Sequence, residues 1–388
     1  MNVLYVLNTS HLTGASKSLI NLIINIREKG VEECVILPED GALSKELLNL
    51  NIRYKIIPFW SWLIPLRKKD SKLNFLKYYS KTLLNRSAIN KIKNFIKENN
   101  VDIVHINNLT SYVGAVAGYE AKVKVVWHFR EFLEEDHQMT FLNKTKAISL
   151  LERADSCVAI SKSVQKKFNS LMPNKKIDLV YNGVPILDYK IDKKEYFNTG
   201  TINLLLAGRI TRGKGHIEAL KALEYLIEKH NENYLKLLIV GSGSDEAYNN
   251  ELRELVNKSK VLNSDNVQFI EFTNDLYKIR EESDIALVCS AAEAFGRVTI
   301  ESMISSLLVI GANSAGTKEL ISDKKTGLLY RQGDYIDLAN KILYAIENKK
   351  DMEKIIINGK DYALKNFSIN NTINGMYEIY KKLNYIRG

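Results

Sequence analysis

Three cysteines in 388 residues, Cys34, Cys157 and Cys289, are too few and too widely spaced for a disulfide framework or a zinc site. Set in apolar stretches, they read as small core residues of a reducing compartment. No apolar run approaches the ~20 residues that a membrane-spanning helix needs. Residues 1–7 lack a basic leader and a small-residue cleavage site, so they are expected to form a first strand and not a signal peptide. The chain also lacks internal repeats, a low-complexity tail, a Walker loop and a complete dinucleotide fingerprint. No nucleophile elbow, Ser–His–Asp order or Cys–His pairing emerges. What remains, 45% hydrophobic and 26% charged residues, describes a soluble globular protein long enough for two domains. The expected location is cytoplasmic.

Acidic residues are nearly missing from one stretch. Between Arg53 and Lys97 twelve Lys and Arg face a single acid, Asp70, and this segment carries the whole net charge of +10. Interleaved with them are Phe59, Trp60, Trp62, Leu63, Ile64, Phe75, Tyr78 and Tyr79. Basic groups among aromatics suit the surface of an anionic membrane, here the inner face of the cell membrane. A solvated amphipathic helix with core-facing aromatics ranks second. Nucleic acid is a distant third, since no recognition motif accompanies the charge.

Short apolar strands alternate with helical stretches through both halves, which predicts parallel βαβ units. In the first half, strands are expected at 3–7, 34–37, 101–106, 124–128, 155–160 and 177–181. Residues 185–200 break the pattern as a linker. A second series follows, with strands at 203–207, 235–240, 267–272, 285–289, 308–311 and 327–330. The expected domains are 1–190 and 191–365, with a C-terminal helical stretch in 366–388 packing back on the first. Ligands of open α/β sheets bind at the carboxyl ends of strands.

The informative motifs lie at those ends. In Gly208-Arg209-Ile-Thr-Arg-Gly-Lys214-Gly215, glycines allow close backbone approach, and Arg209 and Lys214 supply two cations suited to a diphosphate beside a helix start. A solvated basic turn is the plainer alternative. Gly241-Ser-Gly243 reads as a structural turn, and Gly14 sits in a turn between the first strand and first helix. Glu293 and Glu301 are seven residues apart, the first in a loop after a strand and the second about two turns into a helix starting near Phe295 and Gly296. Alone, they read as a dipole-stabilised carboxylate and a surface one. His128 closes a first-half strand, and a lone histidine there is more often structural. Glu134-Glu135-Asp136 reads as a cap or a solvated loop.

Gly208-Arg209, Lys214-Gly215, Glu293-x-Phe295-Gly296, Glu301 and Gly316-Thr-Lys-Glu319, in that order, resemble the donor-site signature of the retaining glycosyltransferases of family 4. The likeness spans nearly the whole chain and is most specific over 201–329. It implies a GT-B fold, two Rossmann-like α/β domains facing a cleft, and transfer of a sugar from a nucleotide-diphosphate sugar, a UDP-sugar first. By the resemblance, Arg209 and Lys214 hold the diphosphate. Glu293 binds sugar hydroxyls, helped by the backbone at Phe295 and Gly296, and Glu301 holds the ribose diol. Gly14 belongs to the N-terminal glycine loop, and His128 faces the sugar near its reactive carbon. Asn182-Gly183-Val184 matches a hinge-side element, and the base packs near residues 269–274. Glu271, Ser306 and Leu308 depart from the usual residues. The Asp-x-Asp of metal-dependent sugar-nucleotide enzymes is missing, so no metal and no cofactor are expected. A glycan or polyprenyl-diphosphate-linked acceptor of surface polysaccharide assembly is the expected partner. The rivals are a non-catalytic GT-B partner protein and a glycosyl phosphorylase, the latter needing a pyridoxal-binding lysine region and a longer chain.

Overall fold

The computed structural model describes residues 1–68, 72–192, 196–197, 200–271, 273 and 276–385, without the side chains of 72–75 and 77. Asp70, the Phe75 side chain, and Phe272 and Asn274 of the expected base-binding loop lie outside the described residues. The chain divides into two compact units, Met1–Gly183 with Ile369–Gly388, and Val184–Ser368.

The first unit holds strands β1 (Asn2–Val6), β2 (Glu32–Leu37), β3 (Tyr54–Ile56), β4 (Leu63–Pro65), β5 (Ile103–Ile106), β6 (Lys124–Phe129), β7 (Met139–Phe141), β8 (Ser156–Ala159) and β9 (Ile177–Leu179). Seven of them form a parallel sheet in the order β3-β2-β1-β5-β6-β8-β9, and β4 pairs with β7 antiparallel. Val3 to Leu7 and Val125 to Phe129 are almost wholly buried. A sheet covered by helices on both faces demands such continuous apolar runs, in place of alternation. The C-terminal helix Ile369–Tyr385 closes this unit's core: Ile373, Met376, Tyr380 and Leu383 pack with Leu19, Leu22 and Ile23 of the first helix and with the sheet.

The second unit holds β10 (Ile202–Ala207), β11 (Leu235–Val240), β12 (Val267–Ile270), β13 (Ile285–Val288), β14 (Leu308–Ala312) and β15 (Leu328–Tyr330), all parallel in the order β12-β11-β10-β13-β14-β15. The chain steps outward from β10 to one edge and returns through β13 to the other. The carboxyl ends of β10 and β13 are therefore a topological switch point, where two successive loops diverge and leave a crevice.

The basic segment splits. Phe59, Trp62, Leu63 and Ile64 are buried. Trp62 Nε1 donates to the Leu109 carbonyl at 2.6 Å, and its ring stacks on Trp127 with centroids 6.0 Å apart. These residues are core and unavailable to an external surface, which corrects half of the aromatic pattern. Of the rest, Trp60 and Tyr79 are exposed and Tyr78 is half-buried, while Leu76, Leu83 and Leu84, outside that expectation, are exposed as well. Leu76, Tyr79 and Leu83 fall on one face of the helix Lys72–Leu83, three and four residues apart. No described helix is long and apolar enough to cross a membrane.

Candidate functional site

At the switch point of the second unit, the loops after β10 and β13 are stitched together. The Ala291 amide donates to the Gly213 carbonyl at 3.0 Å. Gly215 has φ +74°, and a Cβ there would stand 2.3 Å from the Cys289 carbonyl oxygen, so only glycine lets the loops approach. Gly241 and Gly243 prop this arrangement from behind. A Cβ at Gly241 would lie 1.8 Å from the Gly208 carbonyl oxygen, and the Ile210 amide donates to the Ser242 carbonyl at 3.0 Å. The glycine pair at 241–243 is thus a structural turn.

The stitching brings Lys214 and Glu293, 79 residues apart in sequence, into a direct ion pair between Nζ and Oε1. Ser290 Oγ donates to the same Oε1 at 2.7 Å. Behind it, Ser314 Oγ donates to the Ser290 carbonyl at 3.1 Å and the Gly316 amide to the Glu293 carbonyl at 2.8 Å. A Cβ on Gly316 would meet both the Glu293 and Phe295 carbonyl oxygens within 2.7 Å. Glycine at 316 is therefore what lets the next turn lock the glutamate loop.

Gly296 has φ +93° and caps the helix Arg297–Ile304. The left-handed cap delays the helix, so Glu301 stands little more than one turn inside it, not two as its spacing suggested. Phe295 is buried, its ring edge-on to Phe367 at 5.8 Å. Glu301 is itself buried and held by two guanidinium groups. Arg280 Nη2 donates to Oε2 at 2.7 Å, and Arg297 approaches Oε1 with Nε at 3.3 Å and Nη2 at 3.2 Å. Arg297 also reaches the Tyr189 hydroxyl at 3.3 Å, and the Arg280 guanidinium lies 4.9 Å from the Tyr189 ring centroid. Arg209 stands exposed just past the end of β10. Sequence reasoning missed Ser290, Arg280 and Tyr189 as partners of the two glutamates. Arg297 carried a signal, its i,i+4 spacing to Glu301.

The other candidates belong to the first unit. Gly14 opens the helix Gly14–Ile26 behind a capping box, the Ser16 amide donating to Thr13 Oγ1 at 3.2 Å and the Thr13 amide to Ser16 Oγ at 2.6 Å. A Cβ on Gly14 would meet nothing within 4 Å, so the protein itself imposes no steric need for glycine there. His128 is fully buried near the end of β6, with His105 Nε2 and Arg130 Nη2 each 3.3 Å from its Nδ1. Burial, then the Arg130 charge, holds both imidazoles well below the usual histidine range. Burial pushes the neighbouring Glu131 carboxyl up to about 8, although its Oε1 accepts from the Leu109 amide at 2.7 Å. Asn182 Oδ1 accepts from Arg130 Nη1 at 2.7 Å. Asp136 Oδ2 accepts from the Phe132 amide at 2.9 Å, while Glu134 and Glu135 pair with Lys167. Among the described residues no group of three or more His, Cys, Asp or Glu is placed to hold a metal ion.

Residues 12–186 match the family model for Glycosyltransferase Family 4, and residues 188–362 match that for Glycosyl transferases group 1. An uncharacterized glycosyltransferase of Methanocaldococcus jannaschii is 25% identical over 301 residues, 72% of this chain and 75% of the relative. The capsular polysaccharide biosynthesis glycosyltransferase CapM of Staphylococcus aureus is 25% identical over 244 residues, 59% of this chain and 63% of the relative. Among solved structures, Anabaena HepE in complex with UDP superposes with a TM-score of 0.80 at 22% identity, covering 98% of this chain and 100% of the other. The same protein in complex with UDP-glucose gives 0.78.

Proposed function

The chain being a glycosyltransferase with the GT-B fold, we propose that it transfers a sugar, with retention of configuration and without a metal, from a nucleotide-diphosphate sugar to a glycan or lipid-linked acceptor of surface polysaccharide assembly. The observation that carries this reading is the Lys214–Glu293 pair at the switch point of the second sheet. Both side chains are partly exposed, and a pair of this kind is worth only ~0–1 kcal/mol. An incoming diphosphate can separate it, taking Lys214 as its counter-ion. Glu293, steadied by Ser290, then accepts hydrogen bonds from sugar hydroxyls. Exposed Arg209 is the second cation, and the positive end of the helix Arg297–Ile304 adds to the field. Breaking the anomeric C–O bond places negative charge on the diphosphate, and preorganised positive groups favour that transition state. This positive set does the work that a divalent ion does elsewhere. Glu301, already engaged by two arginines, keeps further lone pairs for a ribose diol.

The donor is a UDP-sugar by analogy with HepE, whose complexes contain UDP and UDP-glucose. The acceptor class rests on the likeness to CapM and on the helix face of the first unit bearing Leu76, Tyr79 and Leu83, in a stretch of lysines and arginines that also exposes Trp60 and Leu84. Such a face suits the anionic lipid surface of the cytoplasmic leaflet. Co-sedimentation with anionic but not zwitterionic vesicles is expected, and equal binding to both would remove the membrane clause.

Three measurements test the chemistry. Thermal shift against UDP-, GDP- and ADP-sugars identifies the donor, since a ligand of the native state raises its melting temperature. Lys214→Ala and Glu293→Ala are each expected to abolish transfer with the fold intact; unchanged turnover in either would remove the site assignment. Donor binding without turnover on any glycan would favour a non-catalytic partner protein. The product's anomeric configuration, and activity in the presence of a chelator, decide retention and metal independence.

A further inference from the structure

Behind His128 lies a chain of buried polar groups that neither the donor site nor the fold alone requires. His128, His105, Tyr5 and Tyr380 are fully buried and Arg130 nearly so. The Tyr380 hydroxyl, from the C-terminal helix, lies 2.6 Å from His105 Nδ1 and 3.5 Å from the Tyr5 hydroxyl. His105 Nε2 and Arg130 Nη2 both face His128 Nδ1 at 3.3 Å. Arg130 is fixed in turn by Asn107 Oδ1 on Nε at 2.8 Å and Asn182 Oδ1 on Nη1 at 2.7 Å. His128 Nε2 is buried and has no partner among the described residues.

Arg130 and the Tyr380 hydroxyl together settle the protons of this chain. A guanidinium only donates. With Arg130 donating to it, His128 Nδ1 must be bare, so the ring proton sits on Nε2. His105 Nε2, facing the same bare nitrogen, must donate as well, which leaves His105 Nδ1 bare and ready to accept the Tyr380 proton. Each nitrogen of the two imidazoles then faces a partner except the His128 Nε2–H, which has none among the described residues. A buried donor left unmatched is destabilising, and the cost is removed when a substrate oxygen accepts from it.

We propose that Arg130, His105 and Tyr380 are positioning residues that lock His128 as the Nε2–H tautomer, a fixed hydrogen-bond donor to a sugar or acceptor oxygen and not a proton acceptor. This rests on the glycosyltransferase reading for its purpose but not for its geometry. It gives the last helix of the chain a part in the chemistry, through a hydroxyl 275 residues from the histidine it touches.

The test is a long-range proton–nitrogen spectrum of the resting, nitrogen-15 histidine-labelled protein, with His128 assigned by the resonances lost in His128→Gln. Only six histidines are present. Protonated Nε2 and bare Nδ1 are expected for both His128 and His105. A protonated Nδ1 on His128, or an imidazolium at neutral pH, overturns the proposal. In Tyr380→Phe, a conservative change, His105 is expected to populate both tautomers and His128 to follow. In Arg130→Met, the Nδ1–H form of His128 is expected to appear. A single unchanged Nε2–H form in both variants overturns the locking role. Tyr380→Phe should also lower kcat about tenfold, the worth of one hydrogen bond, with the thermal shift by donor unaltered; an unchanged kcat would refute the link to turnover. A protein that shows the tautomer yet transfers no sugar would leave the lock standing and remove the catalytic reading.

Discussion

Replacing Arg280 with methionine should be among the most damaging single changes in the second unit, although Arg280 has no place in the donor signature. The residue is 4% exposed and its partner Glu301 8%, with 2.7 Å between Nη2 and Oε2. Removing one member of a buried pair typically costs about 3–5 kcal/mol, because the remaining charge is stranded. Arg297 retains its hold on Oε1, so the lower end, about 3 kcal/mol, is the expected loss. Loss of the guanidinium over the Tyr189 ring acts in the same direction. For a unit spanning 184–368, about 2–4 °C per kcal/mol converts this to a fall in Tm of roughly 6–12 °C. The assay is thermal and urea unfolding of the wild type, Arg280→Met, Glu301→Gln and the double variant. Each single change should destabilise, and the double variant should lose less than the sum, since it removes both ends of the Arg280–Glu301 pair together. A loss under about 1 kcal/mol in Arg280→Met, or strict additivity in the cycle, would refute the claim that the pair acts as a buried unit.

Buried imidazoles make the protein acid-sensitive. His216 is held at about 4 by burial, and His105 and His128 also lie below their unfolded value. Their contribution is therefore present above about pH 6.5 and lost as pH falls toward 4, which a Tm–pH profile should show as a decline over that window. Glu131 has the opposite sign. With its folded value raised from 4.5 to about 8, its contribution is full below 4.5 and lost as pH rises through 8. Glu131→Gln, which keeps an acceptor for the Leu109 amide, should raise Tm relative to wild type above pH 8 and leave it nearly unchanged near pH 4. The two site glycines should separate. Gly215→Ala, at φ +74° and facing a carbonyl oxygen at 2.3 Å, should lose both stability and transfer. Gly14→Ala, with open space at the Cβ, should keep its Tm and lose transfer; full activity would mean that no ligand approaches Gly14.

The sheet strands other than the exposed edge strand β3 were legible because parallel strands buried on both faces are short, continuous apolar runs, as Leu204 to Leu206 and Leu237 to Val240 show. Lys214 and Glu293 were legible because each follows such a run, and the carboxyl ends of parallel strands collect at one edge of the sheet. The depth of Glu301 in its helix was misjudged because spacing does not reveal the left-handed cap at Gly296. Trp62 and Trp60 could not be told apart from sequence, two positions apart in a basic stretch, since only the packing of Trp127 and Phe141 separates core from surface. Arg280 and Tyr380 carried no local sign at all. Their partners lie 21 and 275 residues away, and no periodicity reaches that far.

The C-terminal helix fixes an order of events in synthesis. Ile373, Met376, Tyr380 and Leu383 belong to the core of the first unit, yet the whole of 184–368 is made before them. At about 5–20 residues per second, those intervening residues occupy the ribosome for roughly 10–40 s. Once that interval ends the second unit has all of its residues, while the seven-stranded sheet still waits with Leu19, Leu22 and Ile23 uncovered. A released chain ending at 368 should therefore protect the second unit from protease and leave the first open to it. The earliest strand made belongs to the last core completed.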